Sequence, residues 1–156
     1  MSTTTKTLYD TDFVEWTAHT AQLVREGRFE ELDLENLAEE IEDLGKSDRS
    51  AVRSQLSRML MHLVKERIQP ERAGASWRSS IVDARREILI KLEDSPSLKR
   101  HLAENLQKIY RAAVRDALDK TNLMEHVKDF DIPRECTYTL DELLEGDVSA
   151  LDRPLR

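Results

Sequence analysis

Apolar residues recur every three or four positions along most of the chain, which is the spacing of amphipathic helices. No alternating stretch predicts a strand, and four glycines and four prolines leave few turns. The pattern predicts an all-α fold, a single-domain bundle of five to six helices over residues 8–145, with loose tails at 1–7 and 146–156. The apolar residues that we expect to face the core include Trp16, Leu23, Leu34, Leu37, Ile41, Leu44, Leu56, Leu60, Ile81, Ile88, Leu102, Ile109, Leu143 and Leu144.

The segment after Asp33 leaves two arrangements open. Asp33 is a typical cap for a helix whose apolar stripe runs to Leu44. Gly45, with Ser47 behind it, either ends this helix and lets another begin, or kinks a single long helix. In the first case a short connection would make the two helices antiparallel neighbours.

Later helices carry clearer end signals. Ser76 is placed to cap a helix that includes Trp77. Ser95 and Pro96 have the order of a capping hydroxyl and a first helical proline, and they precede the longest apolar stripe. Thr139, followed three residues later by Glu142, has the spacing of a capping box for a last short helix.

Charge is unevenly distributed along the chain. Residues 1–47 carry 4 basic and 12 acidic side chains, residues 48–100 carry 12 and 7, and residues 101–156 carry 8 and 12. The basic middle therefore either pairs with the acidic ends within the fold or forms a patch for an acidic partner.

The stretch ENLAEEIEDLG contains five carboxylates, and most of them fall on the outer side of the predicted helix. Only one flank, with Glu40 and Asp43, could face the flank of the next helix that carries His62. Carboxylates and an imidazole from adjacent helices can bind a divalent metal, and Lys65 or Arg78 could then hold an anionic substrate of a hydrolase or nuclease. The ordinary alternative is a solvated helix face and a histidine that hydrogen-bonds at the edge of the core, and the spacings that mark di-iron bundles and zinc proteases are absent.

Other chemistry has less support in the sequence. There is no nucleophile elbow and no glycine-rich phosphate loop, and Cys136 has no identifiable base. The basic segment 49–86 could contact duplex DNA, whereas 5% aromatic residues disfavour a single-strand binder. No apolar run approaches the ~20 residues of a membrane span. A lone cysteine and an N-terminus without a secretory signal favour the cytoplasm.

Five segments, LYDTDFVEW, LDLENLAEEIEDLG, HLVKERIQPER, SWRSSI and DSPSL, occur in an order and spacing that resembles the bacterial helical family called domain of unknown function 29. The resemblance covers residues 8–145 and implies an all-helical cytoplasmic protein of a bacterium with no established activity. The residues that match the family pattern, and are therefore its candidate site residues, are Asn36, Glu39, Glu40, His62, Lys65, Pro70, Trp77 and Arg78.

These observations lead to a first hypothesis of a non-enzymatic interaction or regulatory protein. Its binding surface would be the flank that carries Asn36, Glu40, His62 and Trp77, and its ligand another protein or a second copy of the chain. This hypothesis requires no cofactor. A metal-dependent hydrolase is the alternative, and DNA binding through residues 49–86 comes third.

Overall fold

In the computed structural model, which describes residues 6–146, the chain consists of helices and turns, and the described residues contain no strand. The six α-helices of this range are α1 (Leu8–Thr11), α2 (Phe13–Arg25), α3 (Leu34–Ile68), α4 (Ala75–Asp94), α5 (Leu98–Lys120) and α6 (Leu140–Glu145). Three short 3₁₀ segments connect them, at Phe29–Glu31, Pro70–Arg72 and Met124–Asp129. The all-α prediction is confirmed.

Contacts along the chain define two compact units, Met1–Ser47 and Asp48–Arg156, and α3 contributes residues to both. The single domain over residues 8–145 stays a prediction. The predicted tails, 1–7 and 146–156, lie almost entirely outside the described residues. No helix within residues 6–146 has the length and apolar character that a membrane crossing requires.

The first unit is a helical hairpin. Asp12 caps α2 by accepting a hydrogen bond from the backbone N–H of Glu15 at 3.0 Å. The chain turns at Gly27, whose φ of 71° lies in the left-handed region that glycine adopts without steric cost. Asp33 then accepts a hydrogen bond from the backbone N–H of Asn36 at 3.2 Å and starts α3.

The helix at residues 34–68 is continuous, so the antiparallel pair considered from the sequence is wrong. Gly45 lies inside α3 and does not have a positive φ. A helical glycine costs about 1 kcal/mol relative to alanine, which the continuing hydrogen-bond ladder tolerates because no proline interrupts it before Pro70.

The second unit holds the main hydrophobic core. The later part of α3 packs with α4, α5 and α6 around side chains that are almost fully buried, among them Leu56, Leu60, Ile81, Ile88, Leu102, Tyr110, Leu143 and Leu144. The Tyr110 hydroxyl donates to the backbone carbonyl of Pro133 at 2.8 Å, which fastens the irregular segment between α5 and α6 to this core. Cys136 is buried in the same region, and burial raises the pKa of its thiol.

Two helix starts differ from the sequence prediction. The N-cap of α4 is Gly74 rather than Ser76. Ser95 ends α4, and α5 begins only at Leu98 after Ser97, because the residues between them form a tight turn in which the Leu98 N–H bonds to the Ser95 carbonyl at 3.0 Å. The predicted cap of α6 is confirmed, since the Thr139 hydroxyl accepts from the Glu142 N–H at 3.1 Å.

Candidate functional site

An open groove with a volume of about 350 Å³ runs between α2 and the start of α3 in the first unit. We call it the α2–α3 groove. Its lining includes Trp16, Thr20 and Val24 from α2 and Leu37, Ile41 and Leu44 from α3. These positions are three or four residues apart on each helix, so each helix contributes one continuous face to the groove.

The apolar walls of the α2–α3 groove are exposed. Val24, Ile41 and Leu44 have 45%, 60% and 71% of their surface accessible. The sequence pattern assigned Leu34, Ile41 and Leu44 to the core, and this assignment is wrong for all three, since Leu34 at the start of α3 is 64% exposed as well. Isolated exposed apolar residues are common on protein surfaces, but a row of them along a concave surface is typical of a binding site.

Glu40, at the edge of the groove, is held by a tyrosine. The Tyr9 hydroxyl donates to Glu40 Oε1 at 2.6 Å, and this hydrogen bond is the main reason that the pKa of Tyr9 is raised to about 12. The Tyr9 ring in turn meets Trp16 edge-on at 4.9 Å and Phe13 at 5.9 Å between ring centroids. Aromatic contacts therefore fix the group that orients this carboxylate.

The other candidates near the start of α3 have structural or solvent-exposed positions. The Asn36 side chain donates to Asp33 Oδ2 at 2.7 Å, so it supports the cap of the helix. Asp43 is exposed, and its Oδ1 lies 3.6 Å from Nζ of Lys46. Glu39 is exposed as well. These three side chains fit the ordinary interpretation of the acidic stretch as a helix cap and a solvated face.

Three other candidates meet in the second unit. The ring of His62 lies 6.4 Å from the ring of Trp77 between centroids, and the Lys65 ammonium lies 4.8 Å from the same indole in a cation–π contact. Partial burial and the nearby Lys65 lower the pKa of His62 to about 4. Its Nδ1 is buried and has no hydrogen-bond partner among the described residues.

Arg78, the last candidate, follows Trp77 on α4 and forms an ion pair with Glu66 of α3. Arg78 Nη2 lies 3.1 Å from Glu66 Oε2, and both side chains are largely buried. The pair links the end of α3 to the start of α4 on either side of the 3₁₀ turn that begins at Pro70. Arg78 is therefore engaged in a link between helices of its own unit.

The described residues provide no ligand cluster for the metal hypothesis. Within residues 6–146, no group of three or more His, Cys, Asp or Glu side chains is arranged to hold a metal ion. The hypothesis placed Glu40 and Asp43 beside His62 through a turn near Gly45, and that turn is replaced by continuous helix.

With this geometry in place, comparison with known proteins identifies the family. The model of the family described as Domain of unknown function DUF29 matches residues 8–148. The chain belongs to this family. No curated protein and no solved structure matches the chain. Membership of DUF29 confirms the resemblance found in the five sequence segments, and the family's description names no activity.

Within this DUF29 chain, sequence reasoning missed Tyr9 and the exposure of the groove walls. Tyr9 stands in the segment LYDTDFVEW, but its contact with Glu40 joins residues 31 positions apart. The sequence did contain one signal that the groove walls are exposed. Residues 1–47 carry 12 acids and 4 bases, and the apolar stripes of residues 13–44 are short, so this part of the chain has few side chains with which to cover an apolar face.

Proposed function

We propose that this protein is a non-enzymatic interaction module, and that its α2–α3 groove binds an amphipathic helix with basic side chains beside an apolar face. The observation that carries the proposal is the row of exposed apolar side chains along an open groove, led by Ile41 and Leu44. Helix-in-groove recognition uses apolar side chains three and four residues apart, the same spacing as the groove walls.

Charge supports a basic ligand. The residues of the first unit carry a net charge of −8, and Glu39, Glu42 and Asp43 are exposed on the helix that forms one wall. A negative field of this kind attracts a basic helix and opposes an acidic one. It also opposes the pairing of two identical grooves, so a second copy docked groove to groove is the weaker hypothesis.

A pair of labelled helical peptides with the same apolar face and opposite flanking charge tests the proposal by fluorescence anisotropy. We expect the lysine-flanked peptide to bind saturably, and the glutamate-flanked peptide to bind at least about tenfold more weakly, a factor that corresponds to about 1.4 kcal/mol. Ile41→Glu should weaken the lysine-flanked peptide about tenfold or more, because it places a charge on the apolar wall.

Val82→Glu is the matched control, since Val82 is an exposed apolar residue of α4 in the other unit and should leave the affinity unchanged. Equal binding of both peptides, or no effect of Ile41→Glu, contradicts the proposal. Sedimentation equilibrium separates the remaining alternative: a dimer that Ile41→Glu dissociates would identify a second copy as the ligand of the groove.

A further inference from the structure

A second concave surface lies between α3 and α5 in the second unit, and none of the residues that match the family pattern belongs to it. We call it the α3–α5 groove. It has a volume of about 260 Å³ and is lined by Ser50, Arg53, Ser54 and Ser57 from α3 and by Asn105, Lys108, Ile109 and Ala112 from α5.

Helical spacing explains how the groove forms. The four residues of α3 stand at positions i, i+3, i+4 and i+7, and the four of α5 have the same spacing, so two continuous helix faces meet. Ser54, Ser57 and Ala112 are small and leave a concave space between the helices. The side chain of Ile109 is buried and forms its apolar floor.

The polar groups around this space suit an anion. Arg53 and Lys108 bring two positive charges from opposite helices, the serine hydroxyls can donate hydrogen bonds, and Asn105 contributes an amide. One amide N–H of Asn105 is already used, because it donates to the backbone carbonyl of His101 at 2.8 Å. The second N–H of the amide is not used in that bond.

Neither cation is neutralised within the part of the chain that the structure describes. Arg53 and Lys108 have no ion pair with an acid of residues 6–146, although the chain has 31 acidic residues. Asp48, the acid of α3 that is nearest to Arg53 in the sequence, forms an ion pair with Lys91 at 2.8 Å. Glu104 precedes Lys108 by one turn of α5 without coming within ion-pair distance of it.

His101, one turn before Asn105, gives a second indication of positive potential. Its Nε2 is buried and has no hydrogen-bond partner among the described residues. Burial, then Arg53 and then Arg49 lower its pKa, while Glu104 acts in the opposite direction. The imidazole therefore lies in a region where the two arginines outweigh the nearby acid.

We propose that the α3–α5 groove binds the phosphoryl group of a small ligand, either inorganic phosphate or a phosphomonoester, between Arg53 and Lys108. Guanidinium and ammonium groups with hydroxyl donors are the usual partners of phosphate oxygens in proteins. The groove is smaller than the roughly 300–1,000 Å³ of sites for drug-sized ligands, which favours a phosphoryl group over an entire nucleotide.

Titration of ¹⁵N-labelled protein with inorganic phosphate, and separately with phosphoserine, at constant ionic strength tests the proposal by NMR. We expect saturable shifts confined to the amides of residues 50–57 and 101–112. A tighter affinity for phosphoserine than for phosphate would identify a phosphomonoester as the ligand, and the reverse order would identify free phosphate.

The variants Arg53→Gln and Lys108→Gln should each weaken binding about tenfold, because each removes a charge-assisted hydrogen bond to the anion. Arg72→Gln is the matched control, since it removes one exposed positive charge outside the groove and should leave the affinity unchanged. Arg53 and Lys108 are exposed, so thermal melts without ligand should show that all three variants remain folded.

Three results would overturn the proposal. Shifts that grow linearly and are scattered over the surface would show general ion screening. Equal affinities of Arg53→Gln, Lys108→Gln and Arg72→Gln would remove the groove as the site. Binding of a short DNA duplex with steep salt dependence, without binding of either phosphate compound, would support a nucleic-acid surface on the basic segment instead.

Discussion

Acidification should destabilise the protein through His62, and the effect can be isolated with one variant. The pKa of His62 falls from 6.5 to about 4 in the folded chain. Between these pH values the unfolded chain binds a proton on this residue that the folded chain does not bind. The free energy of unfolding must therefore fall as the pH drops from about 6.5 to 4. Above pH 6.5 the imidazole is neutral in both states, and His62 no longer destabilises the folded chain.

The cause of this pKa shift is local to the second unit. Partial burial of the ring disfavours the imidazolium, and the positive charges of Lys65, Arg58 and Lys120 add to the effect in that order. The contact with the Trp77 ring at 6.4 Å keeps the imidazole in this environment.

The magnitude follows from the size of the pKa shift. A fall from 6.5 to about 4 corresponds to about 3.4 kcal/mol, at 1.36 kcal/mol for each pH unit. His62 is only partly buried, so solvent still screens its charge, and we expect about 1–2 kcal/mol of this amount in the free energy of unfolding. For a chain of this size, such a loss lowers Tm by roughly 2–8 °C.

Urea unfolding at pH 7 and pH 4.5, on the wild type and His62→Gln, measures this contribution. Carboxylates also titrate in this range, but they are common to both proteins, so the difference between the two proteins isolates His62. We expect the wild type to lose about 1–2 kcal/mol more than the variant on acidification, and the NMR signal of the His62 ring to titrate near pH 4. An equal loss in both proteins, with a ring that titrates at 6.5 or above, would refute the reasoning.

Three further predictions concern stability and ionisation. Leu56→Ala should cost about 2–5 kcal/mol of unfolding free energy by denaturant titration, whereas Leu44→Ala on the exposed groove wall should change it by at most about 0.5 kcal/mol. Gly27→Ala should cost about 1 kcal/mol in the same assay, because φ at this position is positive, and no measurable loss would contradict the turn. Tyr9 should ionise near pH 12 in an ultraviolet titration, because its hydrogen bond to the Glu40 carboxylate stabilises the neutral phenol. In Glu40→Gln it should ionise at a lower pH. The stability that this hydrogen bond contributes is present below pH 10 and is lost as the pH rises through 12.

The sequence predicted the helix caps in part: Asp33 and Thr139 cap their helices as expected, whereas Ser76 and Ser95 do not. Asp33 with Asn36 and Thr139 with Glu142 form the expected hydrogen bonds between a cap side chain and a backbone N–H three residues later. The choice that the sequence left open at Gly45 has a different origin. Glycine permits both a helix end and a helix interior, and the sequence around it contains no proline that would force the end.

The apolar stripe of α3 shows why the candidate site was harder to predict. Val52, Leu56 and Leu60 are buried, whereas Ile41 and Leu44, which continue the same helical spacing, are exposed. Helical spacing fixes which residues share a face, but the neighbour that covers the face comes from elsewhere in the chain or from another molecule. The sequence therefore predicted the face correctly and its burial incorrectly.

The two parts of α3, before and after Ser47, lie in segments of opposite net charge, and each proposed ligand has the opposite charge to its segment. The division into units after Ser47 coincides with the change from a net charge of −8 to the basic segment. The basic middle, residues 48–100, pairs with acids later in the chain, since Lys99 contacts Asp141 at 2.8 Å and Arg67 contacts Asp131 at 3.5 Å.

The first unit has no comparable compensation in its own composition, because it has three times as many acids as bases. The negative field around the apolar surface of the α2–α3 groove therefore repels an acidic ligand and attracts a basic one. A basic helix uses it, and its association rate should fall as salt rises, while the apolar contacts that determine the dissociation rate change little.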